Sequence, residues 1–166
     1  MKILDVRSLA IPEIKVIRFA RFRDARGYFT EAFRKGDFQT HPALEFLRGV
    51  EFVQLNESQS MADVVRGLHF QWSPPQGKLI RPVVGSMVDM ALDIRQGSAC
   101  HGKLVAYEIA GQPQSAEGEW IWVPPGFAHG FIALEPTVVE YFCTAPWSPG
   151  REAGIHPFDK RLDWSL

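Results

Sequence analysis

Cysteine is scarce: Cys100 and Cys143 are the only two in 166 residues. They show no CxxC spacing, so neither a disulfide framework nor a zinc ribbon is expected. An excess of one charge is lacking as well. Lys and Arg number 18 against 19 Asp and Glu, well mixed, for a net charge of −1. That balance excludes the basic stripe that tracks nucleic acid and the polybasic patch that meets a membrane. An anionic ligand would then have to be held by local arginines. No apolar run is long enough to cross a bilayer, and the opening Met1-Lys2-Ile3-Leu4-Asp5-Val6-Arg7 interrupts its apolar residues with charges, unlike a signal peptide. The expectation is a cytoplasmic protein with no membrane and no nucleic-acid partner. Low-complexity linkers, repeats and long charge blocks are also missing, so residues 1–166 read as one domain. A composition 46% hydrophobic and 12% aromatic is ample for its core.

Turn formers are plentiful by contrast, with 14 Gly and 12 Pro leaving short segments between turns, as an all-β fold requires. Leu79–Gly85 and Met87–Ile94 read as two extended runs around a Gly85-Ser86 turn. In the second run Val88, Met90, Leu92 and Ile94 share one face, and Asp89, Ala91 and Asp93 the other, with Asp93 expected in solvent. Further strands are expected at 14–20, 50–58, 103–109, 119–123, 129–134 and 137–144. One helical stretch stands out around 34–48, broken by His41-Pro42. The pattern predicts a double-sheet, cupin-like jelly-roll barrel (a double-stranded β-helix) with one or two short helices and an interior that accommodates a ligand.

Two strings deliver histidines from apolar, strand-like settings: Arg66-Gly67-Leu68-His69-Phe70-Gln71 and Pro124-Pro125-Gly126-Phe127-Ala128-His129-Gly130-Phe131. In an alternating run, His69 and Gln71 point away from Leu68 and Phe70. Pro124 to His129 has the P-x-G-x-x-H order of a cupin motif whose histidine binds metal. His69, however, is followed by Phe70 and Gln71, with no second histidine two residues on, and a divalent transition metal wants three or more converging N/O ligands. No metal site is expected. Two histidines, a lysine and a tyrosine in one apolar barrel suit proton transfer instead. Removing a proton from carbon needs an adjacent carbonyl, a base titrating near neutrality and a cation where the enolate oxygen develops. His69 fits the base and Lys78 the cation, while Tyr141, which shares a strand face with Val139 and Cys143, fits an acid on the opposite side. Such a pairing inverts a stereocentre. His41, His101 and His156 have loop-like or Pro-flanked contexts and are assigned no role.

Five segments in the same order resemble the dTDP-4-dehydrorhamnose 3,5-epimerase family of nucleotide-sugar epimerases: Phe52–Ser58, Arg66–Gln71, Gln76–Leu79, Asp89–Arg95 and Gly126–Phe131. The likeness runs from Asp24-Ala25-Arg26-Gly27-Tyr28-Phe29 to the region of Trp164. It implies His69 as the general base beside a C4 ketone, Tyr141 as the acid and Lys78 near the enolate. It also implies His129 near sugar and phosphates, and Arg66 on the pyrophosphate, a role that suits a planar, permanently charged fork. Arg26, Phe29 and Glu31 are implied to reach the nucleotide, partly across a homodimer interface formed by an exchanged amino-terminal strand. Gln54 and Asn56 are implied to line the same cleft. The implied substrate is a dTDP-linked 4-keto-6-deoxyhexose, and no cofactor is implied.

Three places depart from the family pattern. Relatives carry, beyond the equivalent of Trp164, an aspartate that pairs with the catalytic histidine, whereas this sequence ends at Leu166. Asp89 is the candidate substitute, because a carboxylate fixes the imidazole tautomer and stabilises its protonated form. Trp147 follows Ala145-Pro146 where a tyrosine-rich stretch is usual, near the sugar end of the pocket, and is expected to bind substrate. Gly97–Gly102 replaces the usual Ser-Pro-Thr-Phe-Gly. The rival readings are an epimerase acting at C3 or C5 only, a nucleotide-sugar binding homologue of weak activity, and a metal-dependent cupin enzyme.

Overall fold

In the computed structural model the described residues, 1–162, form twelve strands and two short helical turns. They are β1 (Ile3–Ser8), β2 (Lys15–Ala20), β3 (Phe22–Asp24), β4 (Gly27–Phe29), α1 (Lys35–Thr40), a 3-10 turn (Pro42–Leu47), β5 (Gln54–Ser60), β6 (Val65–Gln71), β7 (Lys78–Asp93), β8 (Leu104–Gly111), β9 (Glu117–Val123), β10 (Phe127–Ala133), β11 (Thr137–Cys143) and β12 (Glu152–Gly154). Trp164 and the end at Leu166 lie outside the described residues.

Every pairing is antiparallel. One layer runs β1–β2–β9–β7–β11–β5, and the other runs β8–β7–β10–β6–β12. Strand β7 belongs to both. Its residues 78–84 pair with β9 and β11, and residues 85–92 pair with β8. The expected Gly85-Ser86 turn is therefore corrected: the chain stays extended and crosses between layers at that point. Gly85 takes φ +81°, and a Cβ there would lie 2.5 Å from the Pro136 carbonyl oxygen, so glycine permits the bend. The helical stretch does break at Pro42, which opens the 3-10 turn. The fold is the all-β cupin barrel that the strand pattern predicts.

Alternation puts Val16, Ile80, Met87, Ala91, Ile121, Phe131 and Val139 into the core between the layers. The outer face of the first layer, with Phe19, Leu79, Trp120 and Trp122, is covered by Phe38, Leu44 and Leu47 of the helical segment. Leu68, Met90, Leu92 and Ala128 bury the outer face of the second layer against Ile155 and Leu162. With both outer faces sealed by apolar residues, polar side chains on the inner faces collect at the open part of the barrel.

Candidate active site

Between the layers lies a cavity of about 430 Å³ whose wall includes Ser58, Arg66, His69, Lys78, His129 and Tyr141. His69 on β6 and His129 on β10 are direct cross-strand partners, so their rings project to the same side. The two strands meet closely because glycines face each other there. A Cβ on Gly67 would come within 2.5 Å of the Gly130 Cα, and one on Gly130 within 2.4 Å of the Arg66 carbonyl oxygen. A third glycine, Gly154 on β12, pairs with His69 and leaves room for its ring, since a Cβ at 154 would stand 3.2 Å from His69 Cδ2.

Lys78, Ile80, Val139 and Tyr141 contribute the facing wall from β7 and β11. His69 and Tyr141 thus stand on opposite layers, across a gap of about 10 Å between packed sheets. Burial draws the Lys78 ammonium below its ordinary range, while Cys143, Asp89 and Glu152 pull it partly back. Burial also raises the Tyr141 phenol, helped by Cys143 and opposed by a hydrogen bond from Asn56 and by the charge of Arg66. The phenol therefore keeps its proton at neutral pH. The thiol of Cys143, buried beside Lys78, is likewise pushed up, first by desolvation.

Asp89 requires a correction. Its Oδ2 lies 2.7 Å from His129 Nε2, not at His69. The strand order explains it, since β7, β10 and β6 are successive neighbours and His69 is two strands, roughly 10 Å, from Asp89. Among the described residues, Asp89 Oδ1 is buried without a hydrogen-bond partner. The solvent expected for Asp93 is corrected too, because that carboxylate is fully buried and paired with Arg95 at 2.7 Å.

The remaining expected residues fall into two groups. Gln54 and Asn56 lie on the face of β5 that carries Ser58, with Asn56 opposite Tyr141, but neither is among the residues lining the cavity. Gln54 Nε2 donates to Asn56 Oδ1 at 2.9 Å, Gln54 Oε1 accepts from the Trp147 backbone N–H at 3.0 Å, and Asn56 Nδ2 approaches Cys143 Sγ at 3.7 Å. Arg66, at the cavity wall, donates from Nε to Ser60 Oγ at 2.8 Å and from Nη2 to the Gln59 carbonyl at 2.9 Å. Arg26, Phe29 and Glu31 are not among the residues lining the cavity of this chain. Arg26 is paired with Asp24 on the β3–β4 hairpin, Phe29 is 72% exposed, and Glu31 holds Arg34 and the amino terminus. Within the single chain β1 pairs with its own β2.

Two residues escape the sequence reading, and a third is placed differently. Ser58 follows Asn56 by two and shares its face, so strand parity alone places it. Glu152, whose charge is felt by both Lys78 and Tyr141, comes from a three-residue strand held only by pairing to β6, and leaves no local signal. Gln71, foreseen beside His69, proves to bind a loop rather than line the cavity.

The family model described as dTDP-4-dehydrorhamnose 3,5-epimerase matches residues 8–166. The chain is 45% identical over 152 residues to a dTDP-4-dehydrorhamnose 3,5-epimerase of Sinorhizobium fredii, covering 90% of this chain and 73% of that protein. It is 40% identical over 167 residues to the enzyme of that name from Methanothermobacter thermautotrophicus, covering 98% and 81% respectively. A crystal structure of dTDP-6-deoxy-D-glucose-3,5-epimerase from Legionella pneumophila in complex with dTDP-4-keto-L-rhamnose superposes with a TM-score of 0.85 at 36% identity, covering 98% of this chain and 84% of that one.

Proposed function

Because this chain belongs to the dTDP-4-dehydrorhamnose 3,5-epimerase family, we propose that its cavity epimerises a dTDP-linked 4-keto-6-deoxyhexose at C3, C5 or both, in deoxysugar biosynthesis. The observation that carries the reading is the placement of His69 and Tyr141 on opposite layers of one cavity, with Lys78 on its wall. His69 takes the proton from the carbon beside the ketone, and electrons move onto the ketone oxygen to give an enolate. The Lys78 ammonium, itself largely buried, faces that oxygen and stabilises its charge. Tyr141, kept protonated by burial, returns a proton from the other side. Deprotonation on one face and reprotonation on the other invert the carbon. The chemistry is redox-neutral and calls on no cofactor.

His129 and Arg66 serve the sugar and the pyrophosphate, with Asp89 holding the His129 ring so that its other nitrogen faces the ligand. Gln54 and Asn56 take the nucleotide end, and Trp147, expected near the sugar end, is assigned to the nucleotide end with them because Gln54 holds its backbone N–H. In a homodimer, the hairpin bearing Arg26, Phe29 and Glu31 completes the cleft of the partner, which agrees with the exposure of Phe29. All these groups serve one domain spanning 1–166.

Incubation with substrate in deuterium oxide tests the proposal. Deuterium at C3 or C5 is expected, and label at one carbon only would mark a single-site epimerase. Tight dTDP binding with both carbons unlabelled would overturn the epimerase reading in favour of a binding homologue.

A further inference from the structure

The segment that leaves β11, Thr144 to Ser148, belongs to no strand, yet side chains and backbone from three other places hold it residue by residue. Thr144 exchanges two hydrogen bonds with the backbone of Gly77, at 2.8 and 3.0 Å. Gln76 Nε2 donates to the Ala145 carbonyl at 2.7 Å, and Gln54 Oε1 accepts from the Trp147 N–H at 3.0 Å. Gln71 does most. Its Nε2 donates to the carbonyls of Pro146 at 3.1 Å and Pro74 at 2.9 Å, and its Oε1 accepts from the Ser148 N–H at 2.8 Å. Gln71 is 7% exposed, so losing these partners would leave buried polar groups unpaired. Trp147, between the two residues Gln71 grips, remains 56% exposed. The backbone is pinned while the indole is left uncovered.

We propose that Gln71 is a positioning residue for the nucleotide end of the substrate: by clasping Pro146 and Ser148 it presets the backbone beneath Trp147 before the ligand arrives. A ligand covering the indole then meets a loop already ordered, and the entropy of ordering does not subtract from its affinity. Pro146 adds to this, with a fixed φ and no N–H of its own to satisfy. The inference rests on Trp147 being a nucleotide contact, a role it holds under the proposed function. Gln71 touches no reacting atom, so its effect belongs to binding rather than to the chemical step.

The test is a double-mutant cycle on the full chain with dTDP as the titrated ligand, joined to steady-state kinetics and amide hydrogen exchange. Gln71→Leu is expected to weaken dTDP binding and raise KM about tenfold with kcat within about twofold, the pattern of lost uniform binding. The Ser148 amide should exchange faster. Added to Trp147→Ala, Gln71→Leu should weaken dTDP little further, because the two act through one element. Unchanged dTDP affinity in Trp147→Ala overturns the reading on which the inference rests. A weakened Trp147→Ala with strictly additive losses, a fall in kcat at constant KM, or unchanged Ser148 exchange overturns the positioning role itself. Should Gln71→Leu not fold, as judged by circular dichroism, Gln71→Glu serves instead. It keeps an acceptor for Ser148 and loses the two donors, and is expected to show a smaller rise in KM in the same direction; an unchanged KM overturns the proposal.

Discussion

Asp89 and Asp93 lie on the same face of one strand, four residues apart, and both are buried, yet their surroundings differ sharply. Asp93 is saturated. Its Oδ1 accepts from the Arg95 backbone N–H at 2.9 Å and Nε at 3.0 Å, and its Oδ2 accepts from Arg95 Nη2 at 2.7 Å and Ser98 Oγ at 2.6 Å. Arg95 is held in turn by Glu13 at 2.7 Å and lies over the Phe127 ring. Asp89 has His129 on one oxygen and, among the described residues, no partner on the other. A carboxylate with every lone pair engaged is a fastener, unavailable to a ligand, whose removal would strand its buried partners. One that keeps a bare oxygen, holds a histidine of the cavity wall and acts by its charge on Lys78 reaches the cavity through those two groups. The inner face of β7 is thus mechanical at its end and chemical at its middle.

Replacing His69 by Ala should cut solvent-proton exchange on the order of 10²–10⁴-fold, the usual worth of a positioned base, as read by deuterium incorporation. Exchange at the wild-type rate would transfer the base to the dyad of His129 and Asp89. Tyr141→Phe should lower net inversion more than exchange, about 10²-fold against less than about tenfold, since the first proton transfer does not use the phenol; equal losses in both would place the phenol elsewhere in the reaction.

Asp89→Asn sharpens the contrast. Turnover should drop about 10–100-fold, as for the loss of a carboxylate that orients a histidine, with little change in melting temperature. Asp93→Asn should do the reverse, leaving kcat/KM near wild type and costing stability in a urea titration. Burial alone would raise the Asp93 carboxyl, but the Arg95 and Ser98 hydrogen bonds outweigh it and lower it from 3.8 to about 2, a depression worth about 1–2 kcal/mol after allowing for a partly exposed Arg95. The smallest effect is its pH dependence. A depressed folded-state pKa stabilises the fold above the unfolded value and loses that stabilisation as protons bind, so the gap between wild type and Asp93→Asn should close between about pH 4 and pH 2. Melting curves across that window check the sign; a gap that widens on acidification would contradict it.

What could be read in advance follows from strand periodicity. Because successive side chains alternate, Leu68, His69, Phe70 and Gln71 sort onto two faces without a structure, as do Val139, Tyr141 and Cys143, and Asp89, Ala91 and Asp93. The glycine at 85 misleads for a physical reason. Its sequence signal is a break in extended structure, and both a hairpin turn and a bend that carries one strand from sheet to sheet satisfy it. The partner of Asp89 and the pairing of Asp93 with Arg95 depend on where strands and loops meet. The contribution of Glu152 depends on β12, a strand too short to have a period of its own.

The residues alone determined that the chain is an all-β barrel and which side chains share a strand face with His69 and with Tyr141, because hydrophobic alternation is a local property of the sequence, while the resemblance to the family supplied Lys78 as a pocket residue. The tertiary structure decided which carboxylate meets which histidine, that one carboxylate on β7 is sealed while another is left half-satisfied, and that Gln71 clasps the loop of Trp147. Those outcomes turn on strand order and loop approach, which arise from burying distant segments against one another and carry no signature in the stretches that supply them.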